Sequence, residues 1–279
     1  MWHLMHNDVM KSPLRWLARR REIGKLAERC SELELELSAF IGENIQLQPA
    51  KTKGGYDEIY TVLQGGTCIA VLRVNSPYRA QKDPIGELDP YQPLHGPDRL
   101  ALEWTAYQRL NPIGLSPKPL WRTNDAIACS WLPWNRASEH LVNNRSDFWS
   151  TIGKIIPAIA QMHQHGVTHL DLNLGNVLLE PNFDGVAFID FEFGPKKWAT
   201  LPQQQAYDFL KIIDDCTRRR RGGDLMLNNI HRLEDILKTH VPLALQEADM
   251  HFAHTSLKRL KEYTELCKAL GTVFNGFNR

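Results

Sequence analysis

From Val167 the chain reads VTHLDLNLGNVLL and, a few residues later, VAFIDFEFG, so two β-rich stretches each deliver a carboxylate among apolar neighbours. Transfer of a γ-phosphoryl group asks for such a set. One carboxylate must orient an attacking hydroxyl and accept its proton, and oxygen ligands must hold magnesium on the nucleotide phosphates. Asp171 can supply the first, Asn176 and Asp190 the second. Singly, each has a plainer reading: Asp171 and Asn176 as a polar turn between helix and strand, Asp190 as a strand-end carboxylate capping nearby amides. Together, in this order and at this spacing, they favour the chemistry.

Such residues need elements to hold them, and hydrophobic period and turn signals divide the chain into four blocks. The first, Pro13 to Phe40, reads as a basic helix with Trp16, Ile23, Leu26 and Cys30 on one face, flanked by Arg15, Arg19, Arg20, Arg21, Lys25 and Arg29. It either packs on the domain with its arginines in water or anchors on anionic lipid. The second reads as sheet: Asp57 to Gln64 and Thr67 to Val74, joined by Gly65-Gly66 in a tight hairpin, with an earlier strand beginning near Ile45. A Pro- and Gly-rich loop from Asn75 to Pro97 leads to a helix over Asp98 to Leu110, with Asp98 as its expected cap. In the third block, ACSWLPWN, Pro133 interrupts a strand and marks a connector between lobes. The fourth is mostly helical: Phe148, Ile152, Ile155, Ile156, Ile159 and Met162 mark a buried face that ends by Gly166, just before Asp171.

His169, Asp171 and Asn176, followed by Asp190 and Phe191, resemble the protein-kinase-like superfamily, whose catalytic loop is His-x-Asp, four residues and Asn, with Asp-Phe-Gly beyond. The resemblance implies an α+β, bilobal protein-kinase-like fold: a small antiparallel β-sheet N-lobe and a mainly helical, compact C-lobe. It implies ATP and Mg2+ as cofactors, Asp171 as catalytic base, Asn176 and Asp190 as magnesium ligands, and His169 as a brace for the loop. In AVLRV it puts Arg73 at the position of the cation that meets the α and β phosphates, Glu103 at the helix position that holds that cation, and Val71 on the adenine face. Arginine there departs from the usual lysine, as in some choline-kinase-like and antibiotic-kinase-like members. A guanidinium stays charged and grips phosphate in a bidentate way. The alternatives are an edge-strand surface residue for Arg73 and a solvated helix face for Glu103. Gly54 and Gly55 either bring backbone amides to the phosphates or make a simple turn, since the three-glycine spacing is absent. The domains expected are a basic helical extension over 1–44, a nucleotide-binding N-lobe over 45–132 and a catalytic C-lobe over 133–279.

Three departures bear on the acceptor. Asn173 stands two residues after Asp171, where serine/threonine protein kinases carry lysine, and counts with Asp171 among the catalytic residues. Glu192 replaces the glycine of Asp-Phe-Gly. Fewer than twenty residues separate Asp190 from AYDFLKIIDD, with no Ala-Pro-Glu element, which leaves little room to bind an extended peptide. Asp208 in that helix resembles the residue that braces the catalytic loop from below. The short C-lobe and the Asp-Leu-Asn motif are similar to bacterial lipopolysaccharide-core kinases, which act on Kdo or heptose sugars, and to the small kinase of the tRNA threonylcarbamoylation complex. The similarity covers roughly Ile45 to Asp215 and is sharp over Thr168 to Phe193. Expected, then, is phosphoryl transfer to a small-molecule or glycolipid acceptor, first of all a sugar of a lipopolysaccharide-core precursor. The alternatives are a soluble alcohol of the choline or aminoglycoside type, an atypical protein kinase, or a pseudokinase that only binds.

The whole-chain balance agrees with this reading. With 33 Lys plus Arg against 32 Asp plus Glu, no overall field marks a nucleic-acid partner. Cys30, Cys68, Cys129, Cys216 and Cys267 are scattered with no Cys-x-x-Cys pair, against a zinc site or a disulfide framework and in favour of a reducing cytoplasm. The N-terminus lacks the apolar run of a signal peptide and no stretch approaches the ~20 apolar residues of a membrane span. Arg218 to Arg221, expected to continue the helix after Asp215, are a second basic cluster. With Arg19 to Arg21 they either face an anionic surface on the inner leaflet or form a solvated run at a helix end.

Overall fold

The computed structural model describes residues 13–50, 56–76, 85–182 and 185–277, with the side chains of 13–23 and 25 left aside. A long helix, α1 (Pro13–Ile41), is followed by β1 (Gln46–Pro49), β2 (Asp57–Gln64), β3 (Thr67–Asn75) and β4 (Tyr91–Pro93), then α2 (Gly96–Leu110), β5 (Pro119–Arg122) and β6 (Ala126–Ser130). Strands β1-β2-β3-β6-β5, in that order, make one antiparallel five-stranded sheet. Gly65 and Gly66, at φ 55° and 83°, form the turn between β2 and β3. Positive φ at both central positions matches the strands' right-handed twist and costs glycine nothing.

Strand alternation sends β3 side chains to two different cores. Ala70, Leu72 and Val74, with Val62, Ala126 and Ala128, meet Leu33 and Leu37 of α1, and all are buried. Val71 faces the opposite side, against the larger core that contains Tyr107, Leu110 and Cys129. From Leu26 onward α1 therefore packs on the sheet, the plainer of the two expectations for it. Arg29 ties it down further, with Nε and Nη2 donating to the two Asp125 oxygens at 2.8 and 2.9 Å in the β5–β6 turn. The Arg19 to Arg21 side chains lie outside the described residues.

Helix α2 begins two residues earlier than its sequence suggests. His95 is its N-cap residue, with no side-chain cap bond, and Asp98 lies in the first turn. Pro97, with its φ fixed near the helical value and no N–H to satisfy, suits the first turn and draws the start forward.

The larger lobe comprises β7 (Asn135–Arg136), α3 (Ala137–Asn143), α4 (Phe148–Gln164), β8 (Val177–Leu179), β9 (Val186–Phe188), β10 (Phe193–Pro195), α5 (Leu201–Cys216) and the helices that follow. The apolar stripe of α4 is buried from Phe148 to Met162 as its period predicts. α5 starts where its sequence says it must: Thr200 accepts the Gln203 amide and the Gln203 side chain accepts the Thr200 amide, a capping box with Pro202 in the first turn. A small antiparallel sheet of β7, β8 and β9 carries the catalytic loop. β10, just after Asp190, pairs with β4 from the β3–α2 connection, so the short segment beyond Asp190 is fastened to the N-lobe.

Candidate active site

The loop from His169 to Asn176 is shaped by α5. Asp208, fully buried, accepts the His169 amide at 2.8 Å, the Leu170 amide at 2.7 Å and His163 Nε2 at 3.0 Å. About two turns further on, Asp215 accepts the Leu174 amide at 3.0 Å. These carboxylates satisfy buried amides that the loop cannot pair with itself. They also hold Leu170 at φ 65°, a conformation that costs a side-chain-bearing residue energy and persists only where the surroundings over-determine it. His169, buried, lies against Phe191 with ring centroids 4.6 Å apart, and its Nε2 meets the Ile189 carbonyl at 2.9 Å. It thus joins the catalytic loop to the strand that delivers Asp190.

Asp171, Asn176 and Asp190 converge because β8 and β9 are antiparallel neighbours. Val177 is registered with Phe188, and the Ile189 amide donates to the Asn176 carbonyl at 3.0 Å, so Asn176 and Asp190 emerge at the same end of the hairpin. Asn176 Nδ2 donates to the Asp171 carbonyl at 3.1 Å, which fixes the amide with Oδ1 as its other end. Asp190 has φ 73°, a second non-glycine residue in the left-handed region and a mark of a functional site. Asn173 spans its own loop: Nδ2 donates to the Asp171 carbonyl at 3.0 Å and Oδ1 accepts the Gly175 amide at 2.9 Å.

Arg73 reaches the same point from the N-lobe. Its strand is flanked by β2 and β6, so it is not an edge residue, and Glu103 is fully buried rather than solvated. Arg73 Nη1 donates to Glu103 at 2.9 Å and to Asp190 at 2.7 Å, and Nη2 to Asp57 at 3.0 Å, with Glu192 at 4.0 Å. Burial opposes the charge on Arg73, but Glu103, Asp190 and Asp57 outweigh it and keep the guanidinium protonated. Burial pushes Glu103 above the usual carboxylate range, against the pull of Arg73. Arg99 pairs with Asp57 from the far side and lies over the Tyr56 ring at 4.9 Å. A guanidinium suits this four-way junction, where a lysine would offer a single point charge.

Among the described residues, Asp171, Asn173, Asn176, Asp190, Arg73 and Glu103 are thus linked by contacts, with Val71 on the same face of β3 as Arg73. Gly54 and Gly55 lie outside the described residues. The expectation for Arg218 to Arg221 needs correction. α5 ends at Cys216, and Arg219–Arg221 form a separate 3-10 turn. Arg218 and Arg221 turn inward to Asp215, leaving Arg219 and Arg220 exposed. The buried carboxylate that holds the Leu174 amide needs that compensation, so half the cluster is structural. Sequence reasoning passed over Asp57, Arg99, Lys211 and Asp215 as site residues. For the last two there was a signal: in DFLKIIDD they share a helical stripe with Asp208.

Oxygen donors dominate the cleft: the Asp190 carboxylate and the Asn176 amide suit a hard cation that keeps some of its ligands from phosphate and water. Among the described residues no group of three or more His, Cys, Asp or Glu could hold a metal by itself. Such a site fits magnesium carried in with a nucleotide. Among the described residues the buried Glu103 Oε2 and Arg73 Nε have no hydrogen-bond partner.

Comparison with known proteins bears on the catalytic part. Residues 131–215, from the connector between lobes to the end of the α5 stripe, match the model of the Lipopolysaccharide kinase (Kdo/WaaP) family. Among solved structures, the kinase domain of Mycobacterium tuberculosis PknI is similar at 16% identity and a TM-score of 0.40, covering 61% of this chain and 73% of that one. No curated protein matches the chain. A small antiparallel sheet beside a mostly helical lobe, with residues 131–215 matching a kinase family, supports reading the chain as a kinase. Within that class its catalytic segment resembles the lipopolysaccharide kinases.

Proposed function

We propose that the chain transfers the γ-phosphoryl group of ATP, with magnesium, to a sugar hydroxyl of a lipopolysaccharide-core precursor. The observation that carries this is the meeting of the Arg73–Glu103 pair, at 2.7 Å, with Asp190, which lies with Asn176 on a segment that matches the lipopolysaccharide kinase family. Asn176 and Asp190 would hold magnesium, which neutralises charge on the phosphates. Arg73, aligned by Glu103, contacts the α and β phosphates. Asp171 orients the acceptor hydroxyl and takes its proton. The β4–β10 pairing supports a small acceptor, because it occupies the edge along which a peptide strand would lie. We place the reaction on the cytoplasmic side of the membrane, where ATP meets a growing lipid-linked sugar; among the described residues no helix is long and apolar enough to cross a bilayer.

The test gives the purified chain radiolabelled ATP and magnesium with a core precursor, choline and an aminoglycoside in competition. Label is expected on the sugar. Asp171→Asn keeps size but removes basicity, and transfer should fall by ~10²- to 10⁴-fold while ATP still binds. Label on choline or the aminoglycoside alone overturns the acceptor, and nucleotide binding with no transfer to any acceptor overturns the kinase reading.

A further inference from the structure

Asp208, Lys211 and Asp215 stand at i, i+3 and i+7 of α5, a spacing that puts them on one stripe of the helix surface. Each addresses a different part of the catalytic loop. Asp208 takes the amides of His169 and Leu170, Asp215 takes the amide of Leu174, and between them Lys211 Nζ lies 3.3 Å from Asp171 Oδ1. The two carboxylates fix backbone; the ammonium meets a side chain.

We propose that Lys211 positions the Asp171 carboxylate, an inference that rests on the phosphotransferase reading above. With Oδ1 turned to Lys211, Oδ2 is the oxygen left to take the proton of the acceptor. As the acceptor oxygen forms its bond to phosphorus, the bond to the ADP oxygen breaks and the hydroxyl proton passes to Asp171. Lys211 keeps its own proton throughout. Asn173 cannot do this work, because both ends of its amide are committed to the loop backbone and it carries no charge.

Two features make the contact more than a surface ion pair. The Lys211 and Asp171 side chains are only 19% and 26% exposed, so the attraction is screened less than between free surface charges. The Lys211 ammonium also lies 5.6 Å from the Tyr91 ring centroid, which limits the sweep of a flexible stem. Tyr91 belongs to β4, which pairs with β10, so the segment after Asp190 helps to seat the cation on the base. The neighbouring Asp214 is turned to Arg259 and the Leu260 amide and does not compete for this place.

The experiment compares the parent with Lys211→Ala and Lys211→Arg, reading magnesium-dependent phosphoryl transfer from ATP to the core precursor and to water. Displacing a reacting group by about 1 Å costs on the order of 10²-fold, so kcat of Lys211→Ala should fall ~10- to 100-fold. KM for ATP should stay within about twofold, since the groups that meet the nucleotide are untouched. Added ethylammonium should restore much of the lost kcat where tetramethylammonium at equal ionic strength does not, and Lys211→Arg should keep most of the parental rate. Unchanged kcat in Lys211→Ala overturns the proposal. So does a joint change in kcat and KM with a lowered Tm and no rescue by the amine, which marks a merely structural pair. A parent that transfers no phosphate at all overturns instead the reading on which the proposal rests.

Discussion

Replacing Asp208 by alanine should both unfold the catalytic loop and lower the stability of the whole domain. The carboxylate is fully buried and serves three donors, the His169 and Leu170 amides and His163 Nε2, at 2.7 to 3.0 Å. Each buried donor left without a partner costs about 1–3 kcal/mol, so three cost about 3–9. Against this, the loop no longer has to hold Leu170 at φ 65°, and its return to an ordinary conformation recovers about 1–3 kcal/mol. The net expectation is a loss of roughly 2–6 kcal/mol. Asp208→Asn sharpens the test. Its one oxygen best replaces Oδ2, which serves the His169 amide and His163 together, while its NH2 then faces the Leu170 amide. One bond is lost instead of three, about 1–3 kcal/mol. Urea denaturation followed by circular dichroism gives both numbers, and phosphoryl transfer gives the consequence for the loop. If Asp208→Ala costs less than about 1 kcal/mol and leaves transfer intact, Asp208 does not hold this loop.

Asp190→Ala should abolish magnesium-dependent nucleotide binding while the fold survives; isothermal titration with and without magnesium reads this, and a variant that binds nucleotide in magnesium as tightly as the parent would remove Asp190 from the metal site. The α1 contact carries a pH dependence. Hydrogen bonding to Arg29 holds the Asp125 carboxyl below the usual aspartate range, so the pair's stabilisation is complete above that range and is lost as pH falls through the lowered value. Because the pair is only partly buried, screening keeps its worth to about 1 kcal/mol. Protection factors for amide exchange along residues 26–41, taken relative to the intrinsic rate at each pH, should fall in acid in the parent but change less with pH in Asp125→Asn; identical profiles for the two would dissociate α1 docking from this pair.

The order of the elements was legible because local signals set it. Gly65-Gly66 suited a tight turn, the apolar period of α4 marked a buried helix face, and the order and spacing of Asp171, Asn176 and Asp190 suggested that they would act together. Where local signals were weak, the reading slipped. Asp98 carried the chemistry of a cap, but Pro97 drew the helix start forward. Arg218 to Arg221 read as a basic cluster facing either an anionic surface or solvent, yet two of them pair with the buried Asp215 carboxylate.

By itself the sequence determined the motif, the two-lobed order of strands and helices, and the replacement of lysine by Arg73, all of which depend on residues close in the chain. The tertiary structure alone decided that Arg73, besides Glu103, would meet Asp57, Asp190 and Glu192 at once, and that α1 would become one wall of the N-lobe core. It also decided that Lys211, far along the chain from Asp171, would provide the cation beside it. Burial is the reason. A charge taken out of water must find partners wherever folding brings them, and the sequence distance to those partners leaves no local trace.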